Sequence, residues 1–208
     1  MRIFLINTFL VSVTLAAPEK HFEIHMPGAL PTKNDDYLCS AFSIKNLTRG
    51  MSKTKVYMTG FNVDANSSKV GHVGILRCNK ASIREGEVYG CLNPDDICGP
   101  SSRHTAIIIY DWGKDAEPAS LPQDVGFEVD VEEDQIVMQV HYKFPLDFKD
   151  NTGAVIKYTD NKPKYNAGMM ILLRSRLTIP PGVKNVQADI NCKVWLLDCF
   201  KTHSNLIR

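Results

Sequence analysis

The sequence has no excess of charge of either sign. Over 208 residues, 24 Lys and Arg stand against 23 Asp and Glu, a formal net charge of +1. That balance excludes the basic footprint of a nucleic-acid binder and any polybasic attraction to a membrane surface. No apolar run approaches the ~20 residues that a bilayer span needs. No cysteine pair has C-x-x-C spacing, so the commonest zinc-site pattern is lacking. There is no G-x-S-x-G, no H-E-x-x-H and no phosphate-binding loop, which leaves serine-hydrolase, zincin and P-loop chemistry without a motif. Sustained helical periodicity, internal repeats, low-complexity tracts and linkers are also absent. With 44% hydrophobic and 23% charged residues, the chain reads as one globular domain with a real core.

What is present starts with an export pattern. The chain opens MRIFLINTFLVSVTLAAPEK, with Arg2 as a short basic region, a mostly apolar run of 13 residues from Ile3 to Leu15, and small residues at Thr14 and Ala16. This predicts a secretory signal peptide over residues 1–16, because the apolar run is too short to anchor. Cleavage after Ala17 would leave Pro18 first and is the less favourable site. Residues 17–208 are then expected to be secreted or to reside in the secretory-pathway lumen, with no membrane span after signal removal. Asn46-Leu47-Thr48 and Asn66-Ser67-Ser68 mark Asn46 and Asn66 as candidate glycosylation sites. The six cysteines are Cys39, Cys78, Cys91, Cys98, Cys192 and Cys199. An even count in an exported chain reads as disulfides, with connectivity left open by the sequence.

Strand patterns dominate. Lys55 to Val63, Lys69 to Cys78, Thr105 to Tyr110, Gly126 to Val131 and Gln135 to Phe144 are rich in β-branched and aromatic residues, as are Ala154 to Tyr158, Met169 to Leu173 and Val186 to Leu197. Turn clusters separate them at Asn93 to Asp96, Gly99 to Ser102, Asp150 to Gly153 and Pro180 to Gly182. The spacing predicts an all-β, antiparallel sandwich in a single domain. Period-two alternation puts Ile136, Met138, Val140 and Tyr142 on a core face and Gln135, Val137, Gln139 and His141 on the other. The same rule groups Val70, His72, Gly74, Leu76 and Cys78. Imidazoles on rigid strands suit copper, zinc or nickel, so His72 and His141 could meet at one metal. Hydrogen-bonded histidines on a sheet surface are the simpler reading, since two ligands rarely define a site. His21, His25, His104 and His203 read as solvated. Glu132-Glu133-Asp134 reads as a solvated turn, and Met169-Met170 as core filler rather than a copper ligand pair.

Several blocks together resemble the peptidylglycine α-hydroxylating monooxygenases, of the copper type II, ascorbate-dependent family. They are His25-Met26-Pro27-Gly28, Tyr37-Leu38-Cys39, Val70-Gly71-His72 with Leu76-Arg77-Cys78, Leu121-Pro122-Gln123-Asp124-Val125-Gly126-Phe127, Gln139-Val140-His141-Tyr142, Ile179-Pro180-Pro181-Gly182 and Asn185 to Cys192. They follow the family's order from His25 to Cys192. The resemblance implies a jelly-roll-like sandwich and a copper-, ascorbate- and O₂-dependent enzyme that hydroxylates the α-carbon of a C-terminal glycine. It implies glycine-extended peptides as substrate and ascorbate as reductant. It implies a first copper held by three histidines, an adjacent pair and the one in the Q-V-H-Y block.

Carried over residue by residue, His141 corresponds to the third ligand and His72 to the second of the adjacent pair, while Gly71 stands where the first would be. Gln139, beside His141, is a candidate to support the metal site from behind. A two-histidine site can hold Cu(I), whereas Cu(II) prefers four tetragonal donors. The resemblance also implies disulfides Cys39 with Cys91 and Cys78 with Cys98. Cys192 corresponds to a residue whose partner lies in the family's second domain. It could be free, pair with Cys199 or pair with another chain. That second domain, with its other copper, is expected to be missing here. His203 could match one of its ligands, but Asn205 stands at another, and Lys201 at best replaces a peptide-anchoring arginine. The expected function is therefore a peptidylglycine monooxygenase that is impaired, or dependent on a second-domain or other protein partner. The alternative is a secreted non-catalytic β-sandwich module that binds a ligand or a protein.

Overall fold

The computed structural model describes residues 20–49, 51, 53–79, 84–92, 94–98, 106–114, 116–170, 178–182 and 184–185. The expected signal peptide, the strand expected from Val186, and His104, Cys192, Cys199, Lys201, His203 and Asn205 lie outside the described residues. In chain order the elements are β1 (Lys20–His25), β2 (Asp36–Ser43), α1 (Ile44–Leu47), β3 (Lys55–Asp64), β4 (Val70–Asn79), β5 (Tyr89–Gly90) and α2 (Pro94–Ile97). Then follow β6 (Ile107–Gly113), β7 (Ala119–Ser120), β8 (Val125–Asp130), β9 (Asp134–Tyr142), β10 (Gly153–Thr159) and β11 (Tyr165–Asn166). Strands therefore dominate, as the alternating pattern requires, and each helix among the described residues is a single turn of 4 residues. Five strands escaped the sequence reading: β1, β2 and the two-residue β5, β7 and β11. β1 offers only Phe22 and Ile24 to the core, and β2 mixes small and polar residues. Of the turn expected at Asn93 to Asp96, Pro94 to Asp96 instead lie in α2, with Pro94 at the first helical position, where its fixed φ suits a helix.

Two sheets face each other. One has the order β1-β10-β3-β8-β11, with β7 also paired to β3, and the other the order β5-β2-β9-β4-β6. Neighbours pair antiparallel except β11, which runs parallel to β8. The core lies between the sheets. Phe22, Ile24, Val56, Met58, Phe61, Val129 and Ile156 from the first meet Val73, Ile75, Ile136, Met138, Val140 and Tyr142 from the second. Burial of this set supplies the main folding drive, at about 1.5–3 kcal/mol for each large side chain.

The outer face of the five-stranded sheet is half covered. Disulfides join Cys39 to Cys91 and Cys78 to Cys98, the pairs that the resemblance implies. They pin the segment holding β5 and α2 across the sheet, where Cys39, Ala41, Leu76, Val137 and Ile97 form a second, smaller apolar cluster. Val137, expected on a surface row, is fully buried there. The cover stops short of His141.

Three expectations are corrected. Val70 does not share the face of His72. A β-bulge falls between Val70 and His72, and Val70 packs in the inter-sheet core. Asp134 is not part of a solvated turn: it is 5% exposed and accepts hydrogen bonds from the Asp130 backbone N–H and the Asn79 amide. Met169 and Met170 are exposed rather than core filler.

Tyr142, at the end of β9, donates its hydroxyl to Asp150 Oδ2 at 2.8 Å, and Tyr89 donates to the Ile97 carbonyl at 2.7 Å. Burial pushes both phenols well above the ordinary value of 10.0, and the Asp150 carboxylate adds to the effect at Tyr142. A folded-state pKa raised above the unfolded value gives stability that is complete below about pH 10 and is lost as pH rises further. In an alkaline titration, these two of the 7 tyrosines are expected to ionise only as the β signal in circular dichroism collapses. Full tyrosinate absorbance in a still-folded protein would contradict this.

Candidate metal centre

β4 and β9 are adjacent, and His72 lies directly across from His141. The bulge decides what faces them. Tyr142 pairs with Val70 and His141 with His72, so Gly71 is the extra residue on β4. A β-bulge sets two consecutive residues of one strand opposite a single partner. Positions 71 and 72 consequently both address His141. A Cβ added at Gly71 would lie 2.9 Å from His141 Nδ1 and 3.4 Å from its Cε1. The His141 ring thus occupies the space that any side chain at position 71 would enter.

Each ring is held from its other side. His141 Nε2 lies 2.9 Å from Asp35 Oδ1, and its ring stacks on Tyr37 with centroids 4.4 Å apart and planes 8° from parallel. His72 Nε2 pairs with the carboxylate of Asp111 on β6. A carboxylate only accepts, so in a neutral His141 ring Nε2 carries the proton and Nδ1 keeps its lone pair. Neither Nδ1 has a hydrogen-bond partner among the described residues. The imidazoles are partly open, at 33% exposure for His72 and 20% for His141.

Gln139 donates to the Cys91 carbonyl at 2.9 Å. Its amide thus ties the disulfide-bound cover to β9. Gln139 Oε1 and His72 Cε1 both lie 3.7 Å from the Cβ position of Gly74, so the amide oxygen and the His72 ring flank that glycine. His21 and His25 sit on β1, in the other sheet. Both are exposed, and His25 pairs with Glu23 at 3.5 Å. The fold does not bring them to the His72–His141 pair. Asp35, Asp111 and Tyr37 were not singled out as site residues from the sequence. Asp35 and His141 are 106 positions apart, and only the pairing of β2 with β9 and of β4 with β6 makes these residues neighbours.

The donor set can be tested against copper. Two imidazoles across adjacent strands suit a low-coordinate cuprous ion. They do not make the three-imidazole set implied by the resemblance. Among the described residues no group of three or more His, Cys, Asp or Glu is placed to hold a metal.

The structure thus presents a disulfide-tied β-sandwich with two imidazoles on adjacent strands of one sheet. Residues 22–149 match the family profile described as copper type II ascorbate-dependent monooxygenase, N-terminal domain. The chain belongs to that family. It is 30% identical over 176 residues to peptidyl-glycine alpha-amidating monooxygenase B of Xenopus laevis, covering 82% of this chain and 19% of the relative. It is 30% identical over 185 residues to peptidylglycine alpha-amidating monooxygenase of Rattus norvegicus, covering 86% and 18%. The chain thus spans less than a fifth of the length of these relatives. No helix among the described residues is long and apolar enough to cross a membrane.

Proposed function

We propose that this chain is an exported domain of the peptidylglycine monooxygenase type, which holds one copper ion between His72 and His141 and needs a partner for turnover. The observation that carries this reading is the bulge at Gly71, which turns two consecutive positions of β4 toward His141. When bound, copper would supply one-electron redox chemistry with ascorbate as the reductant. The chain's own contribution is binding and orientation. His72 and His141 offer imidazole nitrogens, the disulfide-pinned cover shields the neighbouring sheet from water, and Tyr37 holds the His141 ring flat. With two donors the site favours Cu(I) over Cu(II). A second copper centre and the pocket for a glycine-extended peptide would come from a second domain or another protein. Residues 1–16 would be the signal peptide and 17–208 the domain. The exposed Asn46 and Asn66 would carry glycans.

Copper per chain tests the proposal. The secreted protein is loaded with copper under reducing conditions and dialysed, and the metal is counted by mass spectrometry. One copper per chain is expected, falling to near zero in His141→Ala. A second reading, a secreted non-catalytic binding module, draws on the absence of a side chain at position 71. A count of zero in the unaltered protein would favour that module and end the copper proposal.

A further inference from the structure

The geometry points to a second binding site on this domain, for a small carboxylate with an apolar tail, held by Arg77 between the two sheets. It goes beyond the copper reading and does not depend on it. On β4, Arg77 pairs with Ile136 of β9, as Ile75 pairs with Met138 and Val73 with Val140. Directly paired residues of adjacent strands share a face, and Ile136, Met138 and Val140 all lie in the inter-sheet core. Arg77 therefore continues the row of Val73 and Ile75, at a position where an apolar residue would serve the core. A cation is costly there unless its donors are used. Among the described residues Arg77 makes one hydrogen bond, donated from Nη1 to the Glu128 carbonyl of β8 at 2.9 Å. Its Nε is buried without a partner. The Asp134 carboxylate lies 3.9 Å from that Nε, beyond hydrogen-bond reach. Its two oxygens accept instead from the Asp130 N–H and the Asn79 amide. Asp134 thus balances charge without engaging the guanidinium's donors.

The Arg77 side chain keeps 28% exposure and lines a cavity of about 370 Å³. That volume falls within the ~300–1,000 Å³ range of small-molecule sites. The rest of the lining is mostly apolar: Ile107 and Ile109 of β6, Phe127 of β8, and Ala167 and Met169 just after β11. β6 ends one sheet and β11 ends the other, so the cavity opens along the side of the sandwich, with Ile107 and Met169 exposed beside it. Apolar walls with one convergent cation fit an apolar chain that carries an anionic head. A carboxylate suits this cation best, because the planar guanidinium can donate to both oxygens at once. The Glu128 carboxylate does not compete for it, since Lys55 holds that group. Arg77 and His72 are five positions apart on β4, and by strand alternation they face opposite sides of the sheet. The two sites are therefore separate.

Octanoate serves as the probe, with octanamide and octylamine testing the head group. Titrated by calorimetry into the full, disulfide-bonded chain, octanoate is expected to bind at one site. Octanamide keeps the tail but loses the charge, and should bind about tenfold more weakly. Octylamine should not bind, because its head repels Arg77. Arg77→Lys keeps the charge but removes the planar fork, and should weaken octanoate binding about tenfold. Ile107→Trp narrows the mouth of the cavity from an exposed position on an edge strand, leaves Arg77 in place, and should abolish binding. In ¹H–¹⁵N spectra the Arg77 Nε–H signal, identified by its loss in Arg77→Lys, should shift as octanoate is added. If Arg77→Lys fails to fold, Ile107→Trp and that signal decide the matter. An absence of both heat and shift at millimolar octanoate would overturn the site. So would octanoate binding that leaves the Arg77 signal unmoved, or that is equally tight in Ile107→Trp. Octanamide binding as tightly as octanoate would overturn the carboxylate as its ligand class.

Discussion

Replacing Cys39 and Cys91 together by alanine is expected to lower the unfolding free energy by about 4 kcal/mol. The bridge closes a loop of 52 positions, and the chain-entropy account assigns a loop of that size about 4 kcal/mol through restriction of the unfolded chain. Alanine is the right replacement, because both sulfurs sit in fully buried positions and a serine hydroxyl there would add a desolvation cost of its own. Small domains have only about 5–15 kcal/mol of net stability, so the loss is a large share. The second bridge closes a span of 20 positions and is expected to cost about 3 kcal/mol on removal, by the same relation. Urea unfolding of the two double variants measures both. The expected local consequence is release of the cover from β2, with the Gln139 amide losing the Cys91 carbonyl. A Cys39/Cys91 variant within 1 kcal/mol of the parent, by the scale of the same relation, would refute the argument.

At the proposed copper site, Gly71→His is expected to add retention of Cu(II) to the binding of Cu(I). The bulge already aims position 71 at His141 Nδ1. A third imidazole would bring the donor count closer to the tetragonal set that Cu(II) prefers. Removing even a supporting partner of a ligand costs about 10–100-fold in affinity, so a full ligand should raise Cu(II) retention by at least about 100-fold. The new Cβ would lie 2.9 Å from His141 Nδ1, closer than real contacts allow, so the His141 ring must swing aside. The atom it meets belongs to a side chain rather than to backbone. The overpacking is therefore expected to cost about 1 kcal/mol, at the low end of such changes. Equilibrium dialysis against Cu(II), with electron paramagnetic resonance to count nitrogen couplings, is the measurement. Unchanged Cu(II) retention, in a variant that folds like its parent, would show that position 71 does not face the metal.

The sandwich itself was legible in the sequence. Residues 136, 138, 140 and 142 alternate so regularly that their core face follows from strand geometry, and the structure buries all four. Among the described residues the helices are single turns. The short edge strand β1 was not legible, because two apolar residues in six carry too little periodic signal. The blocks around His72 and His141 identified the family, and the cysteine pairs came with it. The same blocks pointed to a pair of histidines with a gap beside them, at Gly71.

What the sequence alone determined about this protein is its class: strand periodicity, paired cysteines and a short set of ordered blocks are local patterns, and local patterns can be read along a chain. The tertiary structure decided the rest. A one-residue bulge moved Val70 into the core and set Gly71 and His72 together opposite His141, which no strict period of two can express. Strand order carried Asp35 and Asp111 to the two imidazoles from distant parts of the chain. The disulfide-pinned cover buried Val137 and left the histidine end of the sheet open. Each of these depends on which strands become neighbours and in what register, and that is fixed by packing across the whole domain rather than by any one segment.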